Sequence, residues 1–289
     1  MDKMQRVAFI KNKYYFDGGM EYTFAHLKSA LLPHDIELFL ESGVFACYPP
    51  TRPKFAHAVF WDKDTVLGYA LERAGVKLYN SARTVELCDD KQKTYAALFG
   101  KVDFPQTVCA PLVYDVSAGE DERLLSLAEE KLGYPMVVKE NTGSQGRQVY
   151  LAENRAELQI LHERLVHVPH LFQRFVQSSK AGTDIRVYLI GGRAVGAVRR
   201  ENTVDFRSNT ARGGKLERTD APQALMQAAE KVGECLGLDF GTADFMQENG
   251  NYLFIEANSS AYTQNAEKCG IPLTDLFAAH IAKQVNRGE

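Results

Sequence analysis

The sequence predicts an α/β and α+β protein in which a parallel sheet comes first and antiparallel hairpins follow. Short apolar runs alternate with helical patterns over residues 1–85, which is typical of a parallel α/β sheet. After residue 135, glycine turns separate closely spaced strand-like runs, and Asn249-Gly250 is a strong hairpin signal. A length of 289 residues favours about two domains, with one or three also compatible.

Composition excludes several functional classes. Hydrophobic residues make up 45% and charged residues 25%, as in ordinary globular proteins, and the formal net charge of −3 is unlike the strongly basic balance of general nucleic-acid binders. No apolar run approaches the roughly 18 residues of a membrane span, and residues 7–10 are too short for a signal-peptide core. Five widely spaced cysteines without C-x-x-C predict free thiols and no zinc site. We therefore expect a cytoplasmic protein without membrane or nucleic-acid partners.

Local signals define the predicted elements of the chain. Apolar residues between Met20 and Leu31 recur at the spacing of one helix face, and Pro33 ends that helix. Asp89 or Asp90 caps a helix at 90–99 that Gly100 ends. The other predicted helices are 65–73, 121–132, 155–165, 222–236 and 273–286. The predicted strands are 7–10, 36–40, 58–61, 76–79, 102–104, 135–139, 148–151, 171–176, 184–190, 194–200, 242–247 and 252–258.

A glycine-rich segment, Gly143-Ser144-Gln145-Gly146-Arg147, lies between two predicted strands. Glycines let backbone N–H groups approach phosphate oxygens, so the segment is predicted as a hairpin tip that folds over a triphosphate, with Lys139 supplying a point charge. It is neither a P-loop, because Gly-Lys-Ser/Thr is missing, nor a dinucleotide fingerprint, because no helix follows directly. An ordinary hairpin turn is the alternative.

Hard oxygen ligands lie on the last predicted hairpin. Two-residue periodicity puts Glu256 and Asn258 on one face, and Asp244 lies on the preceding strand. Such ligands suit Mg²⁺, which takes one or two carboxylates together with substrate phosphates. A plain two-residue turn at Asn249-Gly250 would pair Asp244 with Ile255, so a metal site requires a bulge or a longer loop that places Asp244 opposite Glu256. A solvent-exposed strand face is the alternative.

Basic side chains are dense between these two motifs, at Arg186, Arg199, Arg200, Arg207, Arg212 and Lys215. Guanidinium groups stabilise the charge on transferring phosphoryl oxygens and bind carboxylates bidentately, so this density suits phosphoryl chemistry. A solvated basic surface or an RNA contact is the alternative, although the aromatic residues of a nucleic-acid platform are sparse around Phe206.

In their order and spacing these motifs resemble the ATP-grasp superfamily, and more closely the RimK-type ligases that add glutamate or related amino acids to a carboxyl group. The matching motifs are Asp90-Lys91, Val137-Val138-Lys139, Gly143-Ser144-Gln145-Gly146, Asp184-Ile185-Arg186, Asp205-Phe206-Arg207-Ser208-Asn209 with Gly213-Gly214, and Glu256-Ala257-Asn258-Ser259-Ser260. The resemblance implies an ATP-grasp fold with a Rossmann-like α/β domain at 1–88, a central lid domain at 89–176 and a C-terminal antiparallel-sheet domain at 177–289.

The resemblance also implies roles for single residues. Those implied to bind ATP are Lys91 and Lys139 at the phosphates, the loop Gly143, Ser144, Gln145 and Gly146 above them, the main chain of Arg174, Phe175 and Val176 at adenine, and Asp184 nearby. Those implied at the γ-phosphate and the intermediate are Arg207, Ser208 and Asn209, and the implied catalytic residues are Lys139, Arg207 and Asn209. Those implied to hold two Mg²⁺ ions, which Mn²⁺ could replace, are Asp244, Glu256 and Asn258.

The implied reaction is an ATP-dependent carboxylate–amine ligation. A carboxylate is activated as an acyl phosphate with release of ADP, and an amine then expels phosphate. The implied partners are an amino acid, glutamate or another, and an acceptor that is a peptide, a protein or a small molecule; a homo-oligomer is left open. The alternatives are a small-molecule kinase of the same fold and a non-catalytic nucleotide-binding partner protein.

Overall fold

The computed structural model describes residues 4–14, 17–115, 121–143, 146–177, 182–202 and 215–286. Within these ranges the strands form three sheets, one in each third of the chain. None of the helices in the described ranges is both long enough and apolar enough to cross a membrane.

The first sheet is parallel, and helices join its strands. Its strands are β1 (Gln5–Lys11), β2 (Ile36–Glu41), β3 (His57–Trp61) and β4 (Lys77–Tyr79), in the order β2-β1-β3-β4. Its helices are α1 (Gly18–Leu31), α2 (Thr65–Arg73) and α3 (Ala82–Asp89), with a short 3-10 helix at Leu32–His34. The side chains of Asp17 and Asp64 cap α1 and α2. The predicted alternation of strands and helices is confirmed here, whereas α3 was not predicted.

The central sheet is antiparallel. The elements of this part are α4 (Lys91–Leu98), β5 (Thr107–Cys109), α5 (Asp121–Leu132), β6 (Met136–Glu140), β7 (Val149–Ala152), α6 (Arg155–Leu165) and β8 (His170–Arg174), with the strand order β5-β8-β6-β7. The strand predicted at 102–104 is wrong. The ring of Phe104 instead packs against that of Tyr95 with a centroid distance of 4.9 Å, so this apolar residue anchors the chain by side-chain packing and not by strand pairing.

The third sheet is antiparallel and carries the hairpin predicted at Asn249-Gly250. Its strands are β9 (Thr183–Ile190), β10 (Arg193–Glu201), β11 (Lys215–Arg218), β12 (Phe240–Glu248) and β13 (Asn251–Asn258), in the order β11-β10-β9-β12-β13. The helices of this part are α7 (Gln223–Leu236), α8 (Thr263–Lys268) and α9 (Leu273–Val285). The short elements β11 and α8 were not predicted.

The first and third sheets share one hydrophobic core. The ring of Trp61 on β3 lies 5.5 Å from that of Phe240 on β12, and Phe240 stacks on Phe277 of α9 at 4.5 Å. The central sheet has its own apolar cluster, which includes Val138 and Phe172. This arrangement fixes the first sheet against the third; the domain boundaries after residues 88 and 176 stay a prediction.

Candidate active site

A narrow cleft, open to solvent, lies where the three parts of the chain meet. Its walls come from the junction of α3 and α4, the loop after β6 and the end of β13. The charged and motif residues along these walls are Lys63, Asp89, Lys91, Gly143, Glu256 and Asn258. The cleft therefore brings together one predicted phosphate-binding lysine, the first residue of the glycine loop and two predicted metal ligands.

Lys91 is held at the start of α4 by a small hydrogen-bond network. Asp90 caps α4 by accepting from the N–H of Lys93 at 3.1 Å, and it also accepts from Nδ2 of buried Asn141 at 3.1 Å. The carbonyl of Asn141 in turn accepts from the N–H and the Nζ of Lys91 at 3.0 and 3.3 Å. The network ties the start of α4 to the chain that leaves β6, so Lys91 and Asn141 keep a fixed relation.

Lys139 is a buried cation near the end of β6. Its Nζ donates to Oε1 of Gln173 on β8 at 2.7 Å, and the Nε2 of Gln173 donates to the hydroxyl of Tyr95 at 2.9 Å. Burial lowers the pKa of Lys139 to about 8, with Glu256 opposing the shift and Lys91 adding to it. The charges of Lys139, Lys91 and Glu256 therefore act on one another at the cleft.

The last hairpin has the register that a shared acidic site requires. Glu248 pairs with Asn251 across a two-residue turn in which Asn249 and Gly250 have φ of 51° and 83°. The register then shifts by one residue, and Asp244 lies directly opposite Glu256. The irregularity is a β-bulge at Ile255, whose carbonyl accepts from the hydroxyl of Tyr95 at 2.7 Å. The predicted shift is confirmed.

Asp244 itself is neutralised by two arginines. Its carboxylate accepts from Nε and Nη2 of Arg186 at 2.8 and 2.7 Å and from Nη2 of Arg200 at 2.6 Å, while Arg200 also binds Asp184. Although burial alone would raise the pKa of Asp244, Arg186 and Arg200 hold it at about 2. Asp244 is fully buried and does not line the cleft, whereas the side chain of Glu256 is 40% exposed and does.

The residues that face the cleft fit a magnesium ion in part. Glu256 and Asn258 present hard carboxylate and amide oxygens, which Mg²⁺ prefers together with phosphate oxygens. Asp244 would join them only by giving up part of its guanidinium contacts. Among the residues that the structure describes, no three His, Cys, Asp or Glu side chains are grouped to hold a metal, so other oxygens must complete such a site.

The other predicted nucleotide ligands lie elsewhere. Arg174 and Phe175 line a second, open cleft, where the guanidinium of Arg174 binds the carboxylate of Glu248 at 2.9 and 2.7 Å. Asp184 is buried beside Arg200, and Val176 is buried in the apolar interior. Ser144, Gln145, Arg207, Ser208 and Asn209 lie outside the described residues. Gly146 is described and has a positive φ.

Sequence reasoning missed the partners of the acidic residues. Arg186 was noted only as one cation among several, yet it lies on β9 directly opposite Asp244. Strand alternation puts Arg186 and Asp184 on one face, and that signal could have found the network once β9 was placed beside β12. Lys63 pairs with Asp89 at the cleft, a contact between the segment after β3 and the end of α3 that no local pattern indicates.

Comparison with known proteins agrees with this geometry. The chain is 32% identical over 222 residues to β-citrylglutamate synthase B of Danio rerio and, at the same identity and length, to N-acetylaspartylglutamate synthase A of Homo sapiens. Each alignment covers 75% of this chain, and they cover 53% and 55% of the two relatives, respectively. The chain thus spans about half the length of these curated relatives.

Solved structures share the fold. An ATP-grasp RimK domain protein from Sphaerobacter thermophilus DSM 20745 superposes with a TM-score of 0.73 at 20% identity, over 95% of this chain and 98% of the other. The D-alanine–D-alanine ligase of Bacillus anthracis complexed with ATP superposes with a TM-score of 0.71 at 14% identity, over 98% of this chain and 99% of the other. The family model of the RimK-like ATP-grasp domain matches residues 89–281, from the last residue of α3 into α9. With the motifs, the fold and this match in agreement, the chain belongs to the RimK-like ATP-grasp family.

Proposed function

We propose that this protein is an ATP-dependent ligase that joins the amine of an amino acid, glutamate or another, to a carboxylate through an acyl phosphate. The observation that carries the proposal is the cleft that places Lys91 beside Glu256 and Asn258. Buried Lys139 lies near enough for the charges of Lys91 and Glu256 to act on its pKa. Cations beside hard oxygen ligands are what the transfer of a phosphoryl group to a carboxylate requires.

Charge is the main obstacle to this reaction, because a carboxylate must approach a triphosphate. Lys91 is partly exposed and lines the cleft, whereas Lys139 is buried, where a charge acts on phosphate oxygens more strongly than it does in water. Lys139 would turn from Gln173 towards the nucleotide or share its three donors between them. ATP-grasp ligases use ATP and magnesium; here Glu256 and Asn258 would hold the metal, which neutralises charge on the phosphates.

The reaction then takes two steps. An oxygen of the acceptor carboxylate attacks the γ-phosphorus, the bond to the β-phosphate oxygen breaks, and ADP leaves. The amine attacks the acyl carbon, loses a proton, and expels phosphate as the amide forms. Because the cleft is open to solvent, the bound substrates would have to displace water from it, since water would otherwise hydrolyse the acyl phosphate.

The names of the relatives guide the choice of substrates. Both curated relatives are named as synthases of glutamate-containing products, β-citrylglutamate and N-acetylaspartylglutamate. Glutamate is therefore the first amine to test, with citrate and N-acetylaspartate as the first acceptors. The acceptor class, the number of residues added and the number of magnesium ions are parts of this proposal.

The test incubates the pure protein with Mg-ATP, each of the twenty amino acids and each acceptor or a cell extract, and measures ADP and free phosphate. Release of both in equal amounts, dependent on one amino acid, supports the ligase, and mass spectrometry then identifies the amide. Glu256→Gln should lose this release, whereas Glu217→Gln, the same change on exposed strand β11, should keep it.

The two alternatives give different results in the same assay. A small-molecule kinase would release ADP without free phosphate, because the phosphoryl group stays on its product. A non-catalytic nucleotide-binding protein would bind ATP in a calorimetric titration and release neither product with any mixture.

A further inference from the structure

One buried side chain, just after the last strand of the first sheet, bonds to the chain at the open end of the hairpin of β12 and β13. Asn80 follows β4 and is 1% exposed. Its Nδ2 donates to the carbonyls of Phe240 and Ser259 at 2.7 and 2.8 Å. Its Oδ1 accepts from the N–H groups of Asp239 and Phe240 at 2.8 and 3.1 Å. These four bonds use the full hydrogen-bonding capacity of a carboxamide.

The position of these bonds is the open end of the hairpin. The pairing of β12 with β13 ends at Thr242 and Asn258, so Phe240 and Ser259 lie just beyond the last pair. The side chain of Asn80 supplies there the donors and the acceptor that a neighbouring strand would have supplied. It acts as one additional peptide group at the point where the chain leaves β13.

Close packing leaves the chain little freedom at this point. A Cβ on Gly241 would lie 2.4 Å from the carbonyl oxygen of Asn258, so the two strands approach as closely as glycine allows. On the other side, Asn80 holds the carbonyl of Ser259. Asn258 lies between these two constraints, and the direction of its side chain depends on both.

We propose that Asn80 is a positioning residue for the metal and nucleotide site, because it orients Asn258 and the following residues towards the cleft. The inference rests on the proposed function, since it assumes that Glu256 and Asn258 hold magnesium beside a nucleotide. Asn80 does not line the cleft and touches neither substrate nor metal; it acts through the backbone of Ser259 and Phe240.

Thr84, four residues further along the chain in α3, offers a control. Thr84 is 2% exposed, and its hydroxyl donates to the carbonyl of Gly237 at 2.9 Å, so it also bonds the first part of the chain to the approach to β12. Thr84 forms side-chain hydrogen bonds with Ser81 and Gly237, away from the end of β13. Thr84→Val therefore removes a buried contact of the same kind while leaving Asn258 in place.

The experiment measures the binding of AMP-PNP by calorimetry, with excess Mg²⁺ and with EDTA, in the wild type and in Asn80→Asp, Asn80→Ser and Thr84→Val. Asn80→Asp keeps the size of the side chain but replaces the Nδ2 donor with an oxygen that faces two carbonyls. Asn80→Ser is smaller and leaves room for a water molecule. We expect at least one of these two variants to fold. We expect magnesium to strengthen the binding of AMP-PNP by the wild type. In both Asn80 variants the ratio of the affinity with magnesium to that with EDTA should be about tenfold smaller, the equivalent of about 1.4 kcal/mol.

The outcomes separate positioning from general stability. Thr84→Val should lower the melting temperature, by less than Asn80→Ser because fewer buried hydrogen bonds are lost, and should keep the gain from magnesium within about twofold. Asn80 variants that are destabilised but keep the full gain would overturn the positioning role and leave the proposed function intact. A wild type that binds AMP-PNP no better with magnesium than with EDTA would reject the metal and nucleotide site itself, and with it a positioning role there.

Discussion

Asp244 faces Glu256 across the ladder of β12 and β13, although the two-residue turn at Asn249 and Gly250 would by itself pair Asp244 with Ile255. The bulge at Ile255 makes the difference. It puts the two carboxylates on neighbouring positions of one sheet face, where Arg186 on β9 binds Asp244 and lies 4.0 Å from Glu256. The two acidic residues nevertheless have different surroundings, since one is buried between arginines and the other faces the cleft.

This difference predicts unequal effects on stability. Asp244→Asn takes from Arg186 its bidentate partner and from buried Arg200 one of its two carboxylates, so the free energy of unfolding should fall by about 3 kcal/mol. Glu256→Gln changes a partly exposed side chain and should cost less than about 1 kcal/mol. Urea titration of both variants checks this, and equal losses would contradict the buried network. Both variants should lose magnesium-dependent turnover if the proposed site is correct.

Nucleotide affinity should depend on pH through Lys139. Its pKa of about 8 means that the charge is present below pH 8 and is lost as the pH rises, so the affinity for ADP should fall by about threefold to tenfold between pH 7 and 9. Lys139→Arg keeps its charge throughout and should remove this dependence.

The contribution of Lys139 to the stability of the free protein changes with pH in the opposite direction to the nucleotide affinity, so stability serves as a control. Because the folded-state pKa of Lys139 is below its unfolded value, the unfolded chain binds more protons above pH 8, and this residue's contribution to stability rises with pH there. A fall in affinity that merely followed a loss of folded protein would contradict the role of Lys139.

The bulge should depend on Tyr95. Its hydroxyl donates to the carbonyl of Ile255 and accepts from Gln173, so Tyr95→Phe should cost about 1–2 kcal/mol of unfolding free energy. Tyr69→Phe is the matched control, because the hydroxyl of Tyr69 bonds to Glu86 on an exposed surface and its loss should cost little. Thermal denaturation compares the two, and the same small change in both would argue against a structural role for Tyr95.

The ion pair of Arg174 and Glu248 should couple the central sheet to the third sheet. A double-mutant cycle with Arg174→Ala and Glu248→Ala should give a coupling free energy of about 1 kcal/mol, because the contact is bidentate but partly exposed. The hydrogen bonds from Arg174 lower the pKa of Glu248, so this coupling is present above the ordinary pKa of a glutamate and is lost as the pH falls below it. Additive losses at pH 7 would contradict the coupling.

The positions of most helices and strands were predictable from local patterns. Alternating apolar runs indicated the parallel strands, Asn249 and Gly250 indicated the turn, and Asp90 indicated the start of α4. Short elements such as β11 and α8 escaped prediction, because they have few residues and depend on their neighbours for stability. The strand predicted at 102–104 failed because an apolar run can equally anchor side chains, as Phe104 does.

The sequence by itself determined the family, the order of the motifs and the residues with the chemistry for the site. It also determined that a metal site would require a shift in register, because strand alternation and turn length are local properties. Only the tertiary structure decided how that shift is made and which arginines neutralise Asp244. It also placed Asn80 against Phe240 and Ser259, residues 160 and 179 positions away along the chain. Such contacts depend on how sheets pack on one another, and no local pattern records them.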